Sequence, residues 1–299
     1  MTNFYGKKSS LGWGLLCLGS VAVCVLAMAP SALGITSYET SHLEGTWFLQ
    51  RISGGHTPRW ERSTMENLGI TAFGYASGNW EDSNGNSGFS SFQLDVLKNG
   101  FVVRKGSDQR MFLSPSKDLL VGVEKGSAGE QWLTVLLNQR PKSAPGYTVG
   151  DLAGSWQSFG LETGGSSPGW LHATLEINSN GVFTYEGTGS DGDSDSVSGV
   201  IHITNSGEIS IQGDSSIKGQ LNPSRNMMVH TAGEGSDPVM QIFIKEPTSS
   251  CTQDDLTGSW LSYALFTGEW QGYEEESITI DESGSFSFFL RDSDGNTEN

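Results

Sequence analysis

Cysteine and basic side chains are scarce in this chain of 299 residues. It has three cysteines, and two of them, Cys17 and Cys24, lie in an apolar N-terminal segment. A chain without that segment keeps only Cys251, which excludes an internal disulfide and leaves hydrophobic packing as the source of stability. Lysine and arginine total 17 against 34 acidic residues, which gives a formal net charge of -17. Such a surface repels nucleic acid and anionic lipid, so neither is an expected partner.

Helical periodicity is also lacking, and there is only one long apolar run. Lys7 and Lys8 precede an uncharged stretch over residues 11–29, and small residues follow up to Gly34. This is the pattern of a secretory signal, so we expect residues 1–34 to be removed and the protein to be secreted, periplasmic or on the cell surface. The alternative is an uncleaved N-terminal membrane anchor, because the run approaches the length that crosses a bilayer. No membrane contact beyond this segment is expected.

The most informative pattern is a repeated pentad that begins with leucine and ends with tryptophan. Each copy is followed by a second aromatic residue, a turn glycine, a phenylalanine and a polar loop, in the same order. The spacing predicts two complete modules over residues 42–140 and 151–246, and an incomplete third module over residues 254–299. Short proline-containing linkers join the modules. The pentads occupy residues 43–47, 152–156 and 256–260.

Each module is expected to be all β. In the second module, residues 171–177 alternate between apolar and polar side chains, and Gly181 and Gly207 mark turns. This period of two predicts about eight short antiparallel strands in meander order. Without helices to cover a sheet, the module would bury its apolar face by closing into a small barrel, which removes both sheet edges. A two-sheet β-sandwich is the alternative.

The end of the pentad also carries a family resemblance. Its copies read Gly45-Thr46-Trp47, Gly154-Ser155-Trp156 and Gly258-Ser259-Trp260. This Gly-x-Trp resembles the opening motif of lipocalins and related calycin-type β-barrels. The resemblance implies a structural role for each tryptophan, packed across the closed end of a barrel, although no later motif matches the family's end-capping arginine. The whole module is also similar to repeats of large exported bacterial proteins of unknown function, and that resemblance implies no activity.

A second set of aromatic residues supplies the candidates for ligand contact. Trp60, Trp170 and Trp270 lie just after loops or near turn glycines, so we expect them on an exposed recognition face. The alternative is a role in the core, because large rings supply much of the buried area of a small β domain.

Acidic loops supply the candidate metal ligands. Their oxygen side chains fall at alternate positions, as they do in calcium-binding loops. No bidentate glutamate follows at the required distance, so we favour a solvated connector, since Asp, Ser and Gly suit turns for backbone reasons. No other cofactor is expected. The candidate ligands are Asp191, Asp193, Asp195, Asp292, Asp294 and Asn296.

Patterns of catalytic residues are lacking. The five histidines do not recur between modules, and strand alternation places His172 and His202 on the solvent face, which argues against a zinc site. There is no Gly-x-Ser-x-Gly nucleophile motif in a strand-to-helix setting. We therefore expect that the protein is not an enzyme.

Repetition without catalytic chemistry predicts an exported, non-enzymatic array. It would bind an unknown extracytoplasmic ligand or surface component, or serve as a surface spacer. The alternative function is carriage of small apolar ligands inside the barrels, as lipocalin-like folds do. The third module has too few strands to close, so we expect an apolar, unpaired sheet edge and a natural product that is longer than this chain.

Overall fold

The structure, a computed structural model, describes residues 20–28, 37–55, 57–63, 68–126, 129–139, 144–164, 168–233, 237–268 and 271–299. It is all β, as the sequence predicts, and contains two closed barrels and one open sheet. The first strand, β1, is Ser20–Met28 and precedes the modules. The rest of the predicted signal lies outside the described residues. In the part of the chain that is described, no helix is long and apolar enough to cross a membrane.

The first module forms barrel 1. Its strands are β2 Gly45–Gly54, β3 Arg59–Ser63, β4 Leu68–Ile70, β5 Tyr75–Asp82, β6 Ser87–Val96, β7 Phe101–Arg104, β8 Arg110–Leu113, β9 Leu119–Lys125 and β10 Gln131–Asn138. β3 and β4 lie end to end in one position, because both pair with β2 on one side and with β5 on the other. β10 pairs with β2 and closes the sheet. Nine strands therefore fill eight positions.

The second module forms barrel 2, an eight-stranded meander. Its strands are β11 Gly154–Glu162, β12 Gly169–Ile177, β13 Val182–Gly189, β14 Ser194–Ile203, β15 Glu208–Ile211, β16 Asp214–Leu221, β17 Met227–Ala232 and β18 Val239–Lys245. Consecutive strands pair with each other, and β18 pairs with β11 to close the barrel. Closure removes the sheet edges, so the small module leaves no strand unpaired.

The third module is an open sheet. Its strands are β19 Gly258–Gly268, β20 Gly272–Ile280, β21 Phe286–Asp292 and β22 Thr297–Glu298. They form a sheet in the order β1-β19-β20-β21-β22, without closure. Phe286, Phe288 and Phe289 are exposed on this sheet, whereas Ile278 is buried. Exposed phenylalanines are therefore present on this module, but the β19 edge is paired with β1 and is not the unpaired edge that we expected.

Each module opens with the same local structure, which explains the repeated pentad. The pentad glycines Gly45, Gly154 and Gly258 have φ values of 145°, 123° and 135°, in a region that favours glycine. The tryptophan two residues later donates a hydrogen bond of 2.8 Å from its indole Nε1 to the carbonyl oxygen of the pentad leucine. The leucine ends a short helical turn. These turns are Thr40–Leu43, Val149–Leu152 (α1) and Gln253–Leu256.

In each of the two barrels the pentad tryptophan lies in the core. Trp47 and Trp156 are fully buried, each among the apolar side chains of its own barrel, whereas Trp260 in the open module is partly exposed. The ammonium group of Lys245 lies 5.2 Å from the centre of the Trp156 ring and donates a 3.1 Å hydrogen bond to the carbonyl of Asp151.

A third hydrophobic cluster joins all three modules, and we call it the shared cluster. Its members lie on β2, β8, β9 and β10 of barrel 1, on β11, β17 and β18 of barrel 2, and on β19 of the open sheet. The strands that supply it are therefore covered on both faces. The three modules therefore pack against one another through a common hydrophobic cluster and are not structurally separate units. The buried members are Ile52, Phe112, Val121, Val123, Leu133, Val135, Leu137, Leu161, Met227, Val229, Met240, Ile242, Leu261, Tyr263 and Leu265.

Candidate functional site

The structure describes two of the three tryptophans that were expected on a recognition face, and the environments of these two differ. Trp60 is only 5% exposed, and its indole Nε1 donates a 2.7 Å hydrogen bond to the carbonyl of Gly233 in barrel 2. The guanidinium of Arg62 lies 4.2 Å from the centre of the Trp60 ring. The expectation of exposure is wrong for Trp60, because barrel 2 covers the outer face of β3. Trp270 lies outside the described residues.

Trp170 is the described member of this set that does face solvent. It is 41% exposed on the outer face of β12. On the same face, the rings of His172 and Phe159 lie 5.2 Å apart, and Phe159 is also exposed. His172 and His202 are both exposed, as strand alternation predicts. Trp170 therefore remains a ligand-binding candidate on a small aromatic face of barrel 2.

The acidic loops are organised as turns. Asp292 Oδ1 accepts hydrogen bonds from the backbone N–H groups of Asp294 (2.9 Å) and Asn296 (2.8 Å), and Oδ2 accepts one from Asn296 Nδ2 (2.8 Å). In barrel 2, Asp191 Oδ1 accepts from the backbone N–H of Asp193 at 3.0 Å. Among the described residues, no three His, Cys, Asp or Glu side chains converge as a metal site would require. Calcium binding at these loops stays a prediction.

A cleft of about 170 Å³ lies between barrel 1 and the open sheet. Barrel 1 contributes the start of β8 and the end of β9, and the open sheet contributes β20, β21 and the turn that follows β21. One residue from each wall also contacts the shared cluster: Val123 belongs to it and Tyr273 packs against it. The lining residues are Asp108, Arg110, Val123, Lys125, Tyr273, Glu275, Arg291, Ser293, Asp294 and Gly295.

The charges in this cleft are incompletely paired. Arg110 Nη1 lies 3.9 Å from Glu275 Oε2, which is a loose contact, and Lys125 Nζ lies 3.5 Å from Asp294 Oδ1. Neither Asp108 nor Arg291 has an ion-pair partner within 4.0 Å among the described residues. Among the described residues, one anion and one cation of the cleft therefore make no close ion pair, although the charge of Arg291 acts on Glu275 from a distance.

Glu275 is the most enclosed charge of the cleft, with a side chain that is 12% exposed. Burial raises the pKa of this carboxyl above its ordinary value, and the nearby positive charges of Arg110 and Arg291 oppose that rise. Burial likewise raises the pKa of the Tyr273 hydroxyl. A carboxylate that is poorly hydrated and only loosely paired is stabilised by an added cationic group.

Two residues of this cleft carry a signal in the sequence. Tyr273 is the second aromatic residue that follows the pentad in the third module, and Asp294 is a candidate calcium ligand; both line the cleft. Arg110, Glu275 and Arg291 gave no signal, because they come from two modules that are far apart in sequence. Continuous apolar runs in β9 and β10 were the available sign, since strands covered on both faces have such runs.

A second polar group lies inside barrel 2. His230 Nε2 donates to Gln241 Oε1 at 2.8 Å, and Gln241 Nε2 donates to the Tyr185 hydroxyl at 3.0 Å. His230 also stacks on Phe243, with ring centres 5.3 Å apart, and its Nδ1 has no partner among the described residues. Burial lowers the pKa of His230 to about 4, and the positive charge of Arg62 adds to this, against the hydrogen bonds of Gln241 and Thr231 and the charge of Asp214.

The lowered pKa of His230 predicts that barrel 2 loses stability in acid. Its pKa lies below the value of about 6.5 that histidine has in an unfolded chain, so on acidification the unfolded chain takes up a proton first. We expect proton uptake by this histidine in the unfolded chain to lower the free energy of unfolding by about 2 kcal/mol as the pH falls from about 7.5 to about 4.5. Urea unfolding at both pH values should show a smaller acid loss for His230→Gln than for the wild type. Equal losses in the two proteins would contradict this assignment.

Comparisons with known proteins leave the chain without a family. No protein-family profile matches it, and no curated protein matches it. A solved structure of a protein of unknown function from the DUF3598 family of Nostoc punctiforme is similar over 83% of this chain and 94% of that chain, at 11% identity and a TM-score of 0.22.

Proposed function

We propose that this is an exported, non-enzymatic binding protein whose cleft between barrel 1 and the open sheet takes a small zwitterion. The observation that carries the proposal is that Asp108 and Arg291 line the same cleft and that neither has an ion-pair partner within 4.0 Å in the part of the chain that the structure describes. A ligand with one positive and one negative group could form an ion pair with each of these two side chains at the same time. Such pairs of charge-assisted hydrogen bonds are among the stronger polar contacts in proteins.

Each end of the proposed ligand has a defined partner. The planar guanidinium of Arg291 suits a carboxylate, which it binds with two parallel hydrogen bonds. Asp108 and the loosely paired Glu275 suit an ammonium group. The side chains of Val123 and Tyr273 give the cleft an apolar wall. A space of about 170 Å³ has room for roughly six waters by volume, which is the size of an amino acid and not of a lipid.

The packing of the modules supports binding over a spacer role. The shared cluster spans both walls of the cleft, so the lining residues are positioned before any ligand arrives. Preorganisation of this kind lowers the entropy lost on binding. A spacer would gain reach from modules placed end to end, whereas these modules lie side by side.

Export and the absence of catalysis are parts of the same proposal. The N-terminal pattern of two lysines, an apolar stretch and small residues supports export. Among the described residues, the lining contains neither histidine nor cysteine, the side chains that most often act as base or nucleophile near neutral pH. Binding outside the cytoplasm is therefore the activity that these features favour.

Carriage of apolar ligands inside the barrels has weaker support. On the inner face of β2, Arg51 follows the core residue Trp47 by four positions and binds Glu61 and, at 2.8 Å, Glu124. The guanidinium of Arg51 also lies 4.2 Å from the centre of the Trp132 ring. One half of this barrel is thus filled by Trp47 and its apolar neighbours and the other half by a charged network, and an apolar ligand would have to desolvate that network.

The proposal predicts selective binding of zwitterions by Arg291. We expect isothermal titration to detect free amino acids, with acetate, ethylamine and glucose binding at least about tenfold more weakly. Arg291→Gln removes the bidentate donor and should weaken amino-acid binding by at least about tenfold. Arg104→Gln is the matched control. Arg104 is not one of the lining residues named above, and its guanidinium lies 4.6 Å from the centre of the Phe92 ring.

Two results would overturn this assignment of the site. One is unchanged amino-acid affinity in Arg291→Gln. The other is equal binding of acetate and amino acids, because this would reduce the site to a simple anion site. If none of the probes binds to the wild type while its thermal unfolding is cooperative, the zwitterion proposal itself fails.

A further inference from the structure

The N-terminal apolar segment pairs with the first strand of the open sheet. β1 runs antiparallel to β19 without a break in register, from Ser20 opposite Gly268 to Met28 opposite Trp260. All nine residues of β1 have a partner in β19. The segment contains no charged residue, as expected for a strand that is covered by other parts of a protein.

The position of β1 corresponds to the last strand of each closed barrel. In barrel 2, the strand that pairs with β11 on this side is β18, where Lys245 is opposite Trp156. In barrel 1 it is β10, where Asn138 is opposite Trp47. In the open sheet the residue opposite the pentad tryptophan is Met28. The direction and the register are the same in all three cases.

Without β1, the β19 edge would be unpaired. β20 pairs with the other side of β19, and in the described part of the chain β1 is the strand on this side. An edge of eleven residues, from Gly258 to Gly268, would then present free backbone donors and acceptors. Long, flat, apolar edges of this kind take up additional strands.

We infer that the β19 edge is a strand-acceptor site and that its occupant is the chain's own segment Ser20–Met28. Against β19 this segment occupies the position that β18 occupies against β11 in barrel 2. The site is distinct from the ligand cleft and does not depend on its proposed ligand. Removal of residues 1–34 on export would vacate the site, so the segment protects this edge for as long as it remains attached.

The register allows a direct test by disulfide formation in the full chain. Cys24 is opposite Ala264, and directly opposed residues of an antiparallel pair have Cα atoms about 4.5–5.5 Å apart, within the range for a disulfide. The test protein carries Ala264→Cys, with Cys17 and Cys251 replaced by serine. Under mild oxidation we expect most of the protein molecules to form the disulfide between Cys24 and the cysteine introduced at position 264. Mass spectrometry of a proteolytic digest measures this fraction.

The matched control is Leu265→Cys in the same background. Leu265 is as buried as Ala264, but its side chain points to the opposite face of the sheet, so it should cross-link at least about tenfold less. Equal cross-linking of both variants, or none in Ala264→Cys, would overturn the inference. Neither readout involves the cleft, so failure here leaves the proposed function standing.

Hydrogen exchange gives a second measurement that needs no new cysteine. Val23→Pro removes a backbone N–H and fixes φ near the middle of β1, and it should speed amide exchange across β19 by at least about tenfold, because an unpaired strand edge opens easily. Met28→Pro, at the end of the segment, should have a smaller effect on the same amides. Unchanged exchange of β19 in Val23→Pro would show that β1 does not cover it.

Discussion

Replacing Trp156 by alanine should lower the free energy of unfolding of barrel 2 by about 4 kcal/mol, as large-to-small changes in a core do. The indole is fully buried among the apolar side chains of the barrel. Its loss leaves a cavity, removes the hydrogen bond to the Leu152 carbonyl and uncovers the Lys245 ammonium. Urea unfolding followed by tyrosine and tryptophan fluorescence measures the change.

Trp170→Ala is the matched control in the same barrel. Because Trp170 is exposed, its removal should change stability by less than about 1 kcal/mol. Trp260→Ala should fall between the two, since the same pentad tryptophan is only partly covered in the open sheet. Equal losses for Trp156→Ala and Trp170→Ala would show that burial of the pentad ring contributes little to stability.

Replacing Leu133 by aspartate should uncouple the modules. Leu133 is fully buried in the shared cluster, where a carboxylate would lose its hydration without gaining a partner, at a cost on the order of 4 kcal/mol. We expect the wild type to unfold in one calorimetric transition. In Leu133→Asp the transition should split, and proteolysis should release fragments that begin or end between the modules.

Leu97→Asp provides the control for the added charge. Leu97 is 47% exposed on barrel 1, so the same substitution there should change stability by no more than about 0.5 kcal/mol. A single transition in Leu133→Asp at nearly the wild-type temperature would contradict a shared core. Several transitions in the wild type would show that the modules unfold separately despite their packing.

The features inside one module could be predicted from sequence, because they depend on local periodicity. Alternation over residues 171–177 predicts the strand that the structure shows as β12, and Gly181 lies in the turn before β13. The eight-position meander follows from the same pattern. The unclosed third module was also predictable, since a partial repeat cannot supply eight strands.

The features between modules could not be predicted in this way. Trp60 looks like a loop-flanking aromatic in the sequence, yet it is buried and donates a hydrogen bond to the carbonyl of Gly233 in barrel 2. Nothing in the sequence marks Lys245, because its contact with the Trp156 ring depends on the pairing of β18 with β11. The cleft residues Asp108 and Arg291 meet only through tertiary packing, which periodicity does not encode.

The outward apolar faces of the two barrels make each one dependent on its neighbours. A barrel excised from this chain would expose Leu133 and Val135, or Val229 and Ile242, to water. Such fragments would self-associate through those faces. The number of modules in the chain therefore cannot be raised or lowered freely. An inserted barrel needs an outer apolar face that fits the face of its neighbour, and deletion of a barrel exposes an apolar surface on the modules that remain.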